Sequence, residues 1–243
     1  MKVKVYGERN CGTNYLIQLL KLNFNDYVYD WDGIDHPLFY KFEFLKDLQF
    51  LFSSWYNLGW KHKAVNQNIF FSSFIDRSDL RIVCIIKNPY AFLLSLYKRP
   101  YHYKGEIPET FTEFISSTWE LRRRDNLSVR ELDSPIQLWN KKVDSYLQLK
   151  NEYKDKVFLI KYESLLENPN ETLEKISKAL GLSKFPEFKN IISSTKGDDM
   201  SYLEYKNYYL NKEWMADLSS IDLELINKGL DKQLLSLFSY DLV

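Results

Sequence analysis

The chain has 243 residues, of which 45% are hydrophobic and 27% are charged, and its formal net charge is +0. This is the composition of an ordinary globular protein with a core to bury. The balanced charge excludes a global basic field, so we expect no nucleic-acid partner, and any anion site must be local. No apolar stretch approaches the about 20 residues of a membrane span, so no stable membrane insertion is predicted. With no signal peptide before the first strand and two cysteines without metal spacing, the expected location is the cytoplasm.

A short apolar run at residues 3–6 leads into a loop bounded by Gly7 and Gly12, and a helical pattern begins directly after it. Strand, glycine-bounded loop and helix are the arrangement of a phosphate cradle, because the loop N–H groups and the helix N-terminus point at an anion. The glycine spacing matches the G-x-x-x-x-G of the P-loop. However, Thr13 and Asn14 follow where a nucleoside triphosphatase has Lys and then Ser or Thr. The lysine that contacts the outer phosphates and the hydroxyl that binds Mg²⁺ are therefore missing. The loop therefore indicates a phosphate-containing donor other than ATP.

Two irregular segments, residues 30–58 and 98–133, are expected to face the substrate. Between them, residues 61–65 form a weaker candidate strand. Three consecutive arginines at residues 122–124 are interpreted as a solvated helix face, with binding of an anionic substrate as the alternative.

An apolar run at residues 81–86 is β-branched and continuous, as in a parallel sheet covered on both faces. It ends in Lys87, Pro89 marks a helix start, and Ser95 follows the lysine by eight residues. Open α/β sheets bind ligands at the C-terminal ends of their strands, so Lys87 could pair with a phosphate and Ser95 could donate to the same oxygens. Alone, this segment is more typical of a surface lysine and a helical serine. Together the two loops favour a donor with two well-separated phosphate groups, such as 3′-phosphoadenosine 5′-phosphosulfate (PAPS).

Residues 157–160 form the last predicted strand, and two marked helices follow it. The first has Asn168 as its N-cap and ends at Gly181. The second begins near Ser220. Strands alternating with helical patterns are the signature of an α/β protein. We therefore predict one domain over residues 1–243, with a central parallel sheet flanked by helices and a P-loop-like topology.

In four blocks the chain resembles the PAPS-dependent sulfotransferase family, and the blocks span most of its length. They are residues 8–16, similar to the family's 5′-phosphosulfate loop; residues 87–95, similar to its 3′-phosphate segment; residues 158–165, similar to its strand and Tyr-Glu-Asp-Leu turn; and residues 195–197, similar to its late Arg-Lys-Gly segment. The first two blocks are specific together. The loop departs from the family at Asn10 and Cys11, where members have Lys or Arg and then Ser, and Lys87 replaces the more usual Arg.

The resemblance implies a role for each matching residue. The 5′-phosphosulfate would be held by Arg9, Asn10, Cys11, Gly12, Thr13 and Asn14. The 3′-phosphate would be held by Lys87, Ser95, Lys196 and Gly197, and Tyr162 would approach the adenine. Because Asn10 stands where the family has its loop cation, Arg9 is favoured as the cation at the leaving group, with Lys61 as a helper. Arg9 could instead form a structural ion pair with Glu8 or a neighbouring carboxylate.

Sulfuryl transfer also needs a base for the acceptor proton. Cytosolic sulfotransferases supply it from a Lys-x-His strand in this part of the chain, so the resemblance favours His62, although Lys61 and His62 are adjacent here. The flanking lysines lower the pKa of His62 and keep it neutral, as a base must be. His102 is the second choice. A carboxylate is the third, and its candidates, which we interpret rather as surface turn formers, are Asp30, Asp32 and Asp35.

The predicted function is sulfuryl transfer from PAPS to a hydroxyl or amine of an acceptor, interpreted as a saccharide, without a metal ion. Two alternatives stay open. A P-loop kinase acting on a small molecule would bind Mg²⁺ and ATP. A catalytically idle module would bind the product adenosine 3′,5′-bisphosphate (PAP) without turnover.

Overall fold

The computed structural model describes residues 1–30, 42–70, 77–101, 103–195 and 198–243. Within these ranges the strands are β1 (Lys2–Tyr6), β2 (Tyr27–Tyr29), β3 (Leu80–Ile86), β4 (Trp119–Glu120), β5 (Glu131–Leu132) and β6 (Val157–Lys161). The helices are α1 (Thr13–Asn23), α2 (Glu43–Tyr56), α3 (Pro89–Lys98), α4 (Phe111–Ser116), α5 (Pro135–Glu152), α6 (Tyr162–Glu167), α7 (Pro169–Leu180), α8 (Tyr202–Leu210), α9 (Ser220–Gly229) and α10 (Lys232–Leu237). Short 3-10 helices lie at Gln67–Phe70, Arg123–Asp125 and Glu213–Asp217.

Four strands form a parallel sheet in the order β2-β1-β3-β6, which confirms the predicted α/β architecture. Residues 82–85 of the central strand β3 are fully buried, so helices cover both faces of the sheet. Tyr6 pairs with Cys84, and Ile86 pairs with Lys161. The strands β1, β3 and β6 therefore end at one edge, and the segments that follow them meet there.

The strands predicted at residues 3–6, 81–86 and 157–160 are confirmed as β1, β3 and β6. The short strand β2, Tyr27–Tyr29, has no counterpart among the predictions. With three residues it is too short to show a periodicity, and its pairing with β1 makes it a strand.

The predicted strand at residues 61–65 is wrong. This segment forms a turn, and its backbone hydrogen bonds go to other loops. The N–H of Gly7 donates to the carbonyl of Lys61 at 3.0 Å, and the N–H of Ala64 donates to the carbonyl of Asp125 at 2.8 Å. The segment thus lies between the phosphate loop and the 3-10 helix Arg123–Asp125.

The two marked C-terminal helices are confirmed. The side chain of Asn168 caps α7 by accepting from the N–H of Glu171, and the helix ends at Gly181 with φ +67°. The helix α9 begins at Ser220, preceded by a capping box in which Ser219 is the N-cap. Both starts carry local side-chain signals, which is why the sequence indicates them.

The segments predicted to be irregular contain regular structure. Residues 30–58 include the 14-residue helix α2, and residues 98–133 include α4 and the antiparallel pair of β4 with β5. The apolar residues of α2 do recur at helical spacing, with Phe44, Leu48, Leu51, Phe52 and Trp55 on one face, but that face is turned outward. No helix in the described ranges is long and apolar enough to cross a membrane.

Candidate active site

The loop between β1 and α1 is shaped by two glycines that have no room for a side chain. A Cβ on Gly7 would lie 2.5 Å from the side chain of Ile85. Gly12 has φ +83°, and a Cβ there would lie 2.4 Å from the ring of Tyr162. Asn10 is also left-handed at φ +61°, a conformation that asparagine tolerates better than most residues. The loop is therefore pressed between β3 and Tyr162, and it leads into the N-terminus of α1.

A cavity of about 410 Å³, here called the loop cavity, opens at this point. It is lined by Arg9, Asn10, Gly12, Thr13, Asn14, Trp60, Lys61, His62, Arg99, Tyr101 and Thr195. The fold thus brings most of the predicted phosphosulfate loop together with Lys61 and His62, although 45 or more residues separate them in the sequence. Cys11 is buried and does not line the loop cavity.

Arg9 is buried and held by two carboxylates. Its Nη1 lies 2.7 Å from Glu8 Oε1, and its Nη2 lies 3.4 Å from Asp125 Oδ1. The guanidinium also lies 4.5 Å from the ring centroid of Trp60. Burial lowers the pKa of Arg9, but the two carboxylates outweigh it and raise the pKa above its ordinary value. Arg9 therefore forms the ion pair that the sequence left open, and at the same time it lines the loop cavity.

The carboxylates of Glu8 and Asp125 also hold Lys142, a fully buried residue of α5 that the sequence does not indicate. Its Nζ lies 2.9 Å from Asp125 Oδ1 and 3.3 Å from Glu8 Oε2, and it donates to the carbonyl of His62 at 2.5 Å. Burial raises the pKa of Asp125, yet Lys142 and Arg9 hold it well below the usual range. Two carboxylates and two cations form one neutral buried network behind the loop.

The interpretation of residues 122–124 as a solvated helix face is wrong for Arg124. Its side chain is buried, and its Nη1 lies 2.8 Å from Asp47 Oδ1. The Arg124 guanidinium also lies 5.2 Å from the ring centroid of Trp60, the ring that Arg9 contacts as well. Arg123 is exposed, in agreement with the interpretation.

His62 is held against the loop by one ring nitrogen. Its Nδ1 lies 2.6 Å from the carbonyl oxygen of Gly7. Because a carbonyl only accepts, Nδ1 carries the proton and Nε2 keeps its lone pair. Burial lowers the pKa of His62 well below 6.5, and the charges of Lys61 and Arg9 lower it further. The ring is therefore neutral and can accept a proton at Nε2.

A second cavity of about 260 Å³, here called the tyrosine cavity, adjoins the first at Asn10 and Arg99. Its lining comprises Asn10, Ser95, Lys98, Arg99, Asp198, Met200, Tyr205, Tyr208 and Tyr209. Aromatic rings and cations thus surround a space next to the end of the loop. Ser95 lines this cavity.

Lys87 lies just behind the tyrosine cavity. Its side chain is fully buried, and Nζ donates to Ser95 Oγ at 2.8 Å and to the carbonyl of Asn10 at 3.3 Å. The same nitrogen lies 4.0 Å from the ring centroid of Tyr209. The lysine and Ser95, eight residues apart, therefore form one hydrogen-bonded pair against the phosphate loop.

Tyr162 packs beneath the loop rather than in either cavity lining. Its ring is buried against Gly12, 5.4 Å from Lys87 Nζ. Asp30 is exposed and pairs with Lys21, in agreement with a surface position. The remaining predicted residues lie outside the described ranges: Asp32, Asp35, His102, Lys196 and Gly197.

Arg99 lines both cavities and is a site residue that the sequence does not indicate. Its Nη2 lies 3.0 Å from Asp198 Oδ2, which also accepts from the hydroxyl of Tyr205 at 2.6 Å. Burial raises the pKa of Asp198, but hydrogen bonds from its neighbours and the charge of Arg99 lower it to about 2. No described group of three or more His, Cys, Asp or Glu side chains could hold a metal ion.

The chain is similar to known sulfotransferases. The model of the sulfotransferase domain family matches residues 2–233. A sulfotransferase from Alicyclobacillus acidocaldarius is 15% identical, with a TM-score of 0.46 over 99% of this chain and 96% of that chain. Mouse sulfotransferase SULT7A1 complexed with PAP is 17% identical, with a TM-score of 0.42 over 98% of this chain and 77% of that chain. A sulfotransferase domain from the curacin biosynthetic pathway is 16% identical, with a TM-score of 0.34 over 68% of this chain and 56% of that chain.

No curated protein matches the chain. The family model, in contrast, spans almost all of its residues, including the phosphate loop, Lys87 and Ser95. The P-loop kinase alternative is therefore set aside. The chain belongs to the sulfotransferase family and is a PAPS-dependent sulfotransferase.

Proposed function

We propose that this enzyme transfers the sulfuryl group of PAPS to a hydroxyl or amine of a saccharide, with His62 as the base. The observation that carries the proposal is the 2.6 Å contact between His62 Nδ1 and the carbonyl of Gly7. That contact leaves Nε2 as the proton acceptor, in the same cavity as the phosphate loop.

In the proposed step the acceptor oxygen or nitrogen forms a bond to sulfur while the bond from sulfur to the 5′-phosphate oxygen breaks. The acceptor proton moves to His62 Nε2, and the products are the sulfated acceptor and PAP. Negative charge grows on the departing phosphate, and Arg9 and Lys61 line the cavity where it would be stabilised. Arg9 is positioned by Glu8 and Asp125, so little reorganisation is needed during transfer.

The two cavities suit a donor with two phosphate groups. We assign the 5′-phosphosulfate to the loop from Arg9 to Asn14 and the N-terminus of α1, whose N–H groups favour an anion. The 3′-phosphate belongs with Lys87 and Ser95, together with Lys196 and Gly197 beyond the described ranges. Lys87 supports this assignment, since no described carboxylate pairs with its buried ammonium. Tyr162, beneath Gly12, would contribute to the adenine side from behind the loop.

The acceptor side of the loop cavity combines aromatic and polar groups. Tyr101 lines it with 53% of its surface exposed, whereas Trp60 is buried in the wall, and Asn14 and Lys61 supply polar atoms. Rings beside hydrogen-bonding groups suit a sugar, whose C–H face packs on an aromatic ring while its hydroxyls find partners. This combination supports a saccharide hydroxyl as the acceptor.

His62→Ala tests the proposal directly. We expect turnover to fall by about 10²–10⁴-fold, the usual contribution of general base catalysis, with the affinity for PAP nearly unchanged. Turnover is measured with PAPS and a panel of saccharides, and PAP affinity by calorimetry. His102→Ala is the matched control and should keep most of its activity. Full activity of His62→Ala would place the base elsewhere, and PAP binding without turnover on any acceptor would favour the idle module.

A further inference from the structure

A third cavity of about 460 Å³, here called the α2 groove, lies beside the loop cavity. Its apolar wall is formed by Phe44, Leu48, Phe50 and Leu51 of α2. Its volume is within the range of about 300–1,000 Å³ for ligand pockets. Trp60 lines both this groove and the loop cavity, so the two cavities are neighbours.

The helix α2 turns apolar residues outward and polar residues inward, the opposite of an ordinary surface helix. Phe44 and Leu51 are 63% and 60% exposed, whereas Gln49 and Ser53 are buried. From Leu48 to the end of the helix the sequence has no charged residue. A surface helix normally turns its apolar stripe inward, and an exposed apolar patch with a polar rim marks a binding surface. The outward face of α2 therefore fits an apolar ligand.

The opposite wall of the groove is positively charged. Among the described residues that line it, Lys63, Arg123 and Arg124 are cations, and Asp47 is the one carboxylate. Asp47 Oδ1 forms an ion pair with Arg124 Nη1 at 2.8 Å. Arg123 is exposed at the rim. A ligand that satisfies both walls has an apolar chain and an anionic group.

We propose that the acceptor is an amphiphile, a saccharide joined through a phosphate to an alkyl or isoprenoid chain. The chain lies on Phe44, Leu48 and Leu51, and the phosphate lies near Arg123 and Lys63. The sugar extends past Trp60 into the loop cavity, where its hydroxyl reaches His62. This inference rests on the proposed transfer to a saccharide and adds the class of molecule that carries the sugar.

Binding of dodecyl phosphate, below its micellar concentration, tests the groove without turnover. Calorimetry should show saturable binding, with affinity rising by about two- to fourfold for each methylene between octyl and dodecyl phosphate, as expected for buried chain surface. Inorganic phosphate should bind far more weakly. Leu51→Glu should reduce the affinity for dodecyl phosphate at least tenfold. Leu237→Glu is the matched control, since Leu237 is equally exposed at 62% on α10. Both variants should bind PAP as the wild type does, which verifies their fold.

Activity measurements distinguish a failure of this inference from a failure of the proposed function. Dodecyl phosphates of glucose, galactose and mannose are compared with the corresponding methyl phosphates. A higher kcat/KM for the dodecyl compounds, lost in Leu51→Glu, supports the inference. Equal kcat/KM for both series, or no binding of dodecyl phosphate, overturns it and leaves the saccharide proposal intact. Binding of dodecyl phosphate without sulfation of any sugar overturns the saccharide proposal while the groove stands. The protein is also sedimented with phosphatidylglycerol vesicles. If it sediments and dodecyl phosphate does not compete with the vesicles, the face is a membrane contact, which also overturns the inference.

Discussion

Two fully buried lysines lie behind the two cavities, and their surroundings differ. Lys142, behind the loop cavity, contacts the carboxylates of Asp125 and Glu8 at 2.9 and 3.3 Å. Lys87, behind the tyrosine cavity, contacts a hydroxyl, a carbonyl and aromatic ring faces, and no described carboxylate lies within ion-pair distance of it. One charge is neutralised within the fold, and the other is not.

We interpret this difference as that between a structural cation and a cation that binds the donor. A buried charge is costly unless an opposite charge accompanies it. The charge of Lys142 is balanced in the protein alone, so this lysine supports the loop and Arg9. The charge of Lys87 lacks such a partner, so an arriving phosphate would relieve its cost, which is the property expected of a residue that binds an anionic donor.

Lys142→Met should produce the largest effect on stability. Removing this ammonium leaves Arg9 as the one described cation that pairs with Asp125 and Glu8, and breaking a buried ion pair costs about 3–5 kcal/mol. The free energy of unfolding in urea measures the loss. A decrease below about 1 kcal/mol would show that the network is dispensable and would remove the basis of the contrast.

Lys87→Met should instead act on the donor. We expect PAP affinity to fall by about 10- to 150-fold, because a charge-assisted hydrogen bond worth about 1.5–3 kcal/mol is lost. The free energy of unfolding of the ligand-free protein should stay within about 1 kcal/mol of wild type, since an unbalanced charge is removed. Lys98→Met is the control in the same cavity: this lysine is half-exposed and paired with Asp217, so its loss should matter less. Strong destabilisation by Lys87→Met, with PAP affinity kept, would reverse the assignment of the two lysines.

The pH dependence of activity and of stability tests the role of His62 in the loop cavity. Burial and the charge of Lys61 lower the pKa of His62 in the folded protein, so the acid limb of kcat/KM should lie below pH 6.5. Because the unfolded chain takes up this proton first, the free energy of unfolding should decrease as the pH falls below about 6.5. Lys61→Met should move the limb to higher pH. An acid limb that persists unchanged in His62→Ala would mean that another group titrates.

Asp198→Asn should have the smallest effect. The pKa of Asp198 is lowered to about 2, so its contribution to stability is present above about pH 4 and is lost as the pH falls through about 2. Because the pair with Arg99 is partly exposed, its removal should cost less than about 1 kcal/mol. PAP affinity should rise by about two- to fivefold, as a negative charge leaves the cavity edge. Calorimetry and urea unfolding measure both, and weaker PAP binding would mean that Asp198 positions Arg99 for the donor.

The parts of the site that the sequence indicates are those with local signals. Gly7 and Gly12, and Lys87 with Ser95, each lie within one short segment and at fixed spacings, so a motif can describe them. The central strands are equally local, since continuous β-branched runs identify them. The position of His62 beside the loop follows only from its place in the chain relative to the two phosphate segments.

The parts that the sequence misses depend on contacts between distant segments. Arg9 and Asp125 are 116 residues apart, and Lys142 stands in a helix without any pattern that reports its partners. The segment at residues 61–65 has a strand-like position but pairs with loops instead of the sheet, which only the folded chain decides. Arg99 becomes a site residue because two cavities happen to meet at its side chain.

The contact of Gly12 with Tyr162 links the donor loop mechanically to the end of β6. Because the aromatic ring fills the space that any side chain at position 12 would need, these two positions are free to vary only together. The centroid of the same ring lies 5.4 Å from Lys87 Nζ, so a shift of the loop that moves Tyr162 would also change the surroundings of the Lys87 ammonium. Under the proposed assignment, the residues that contact the two phosphates of the donor are packed against one another, so the site would select for the separation of the phosphates as well as for their charge.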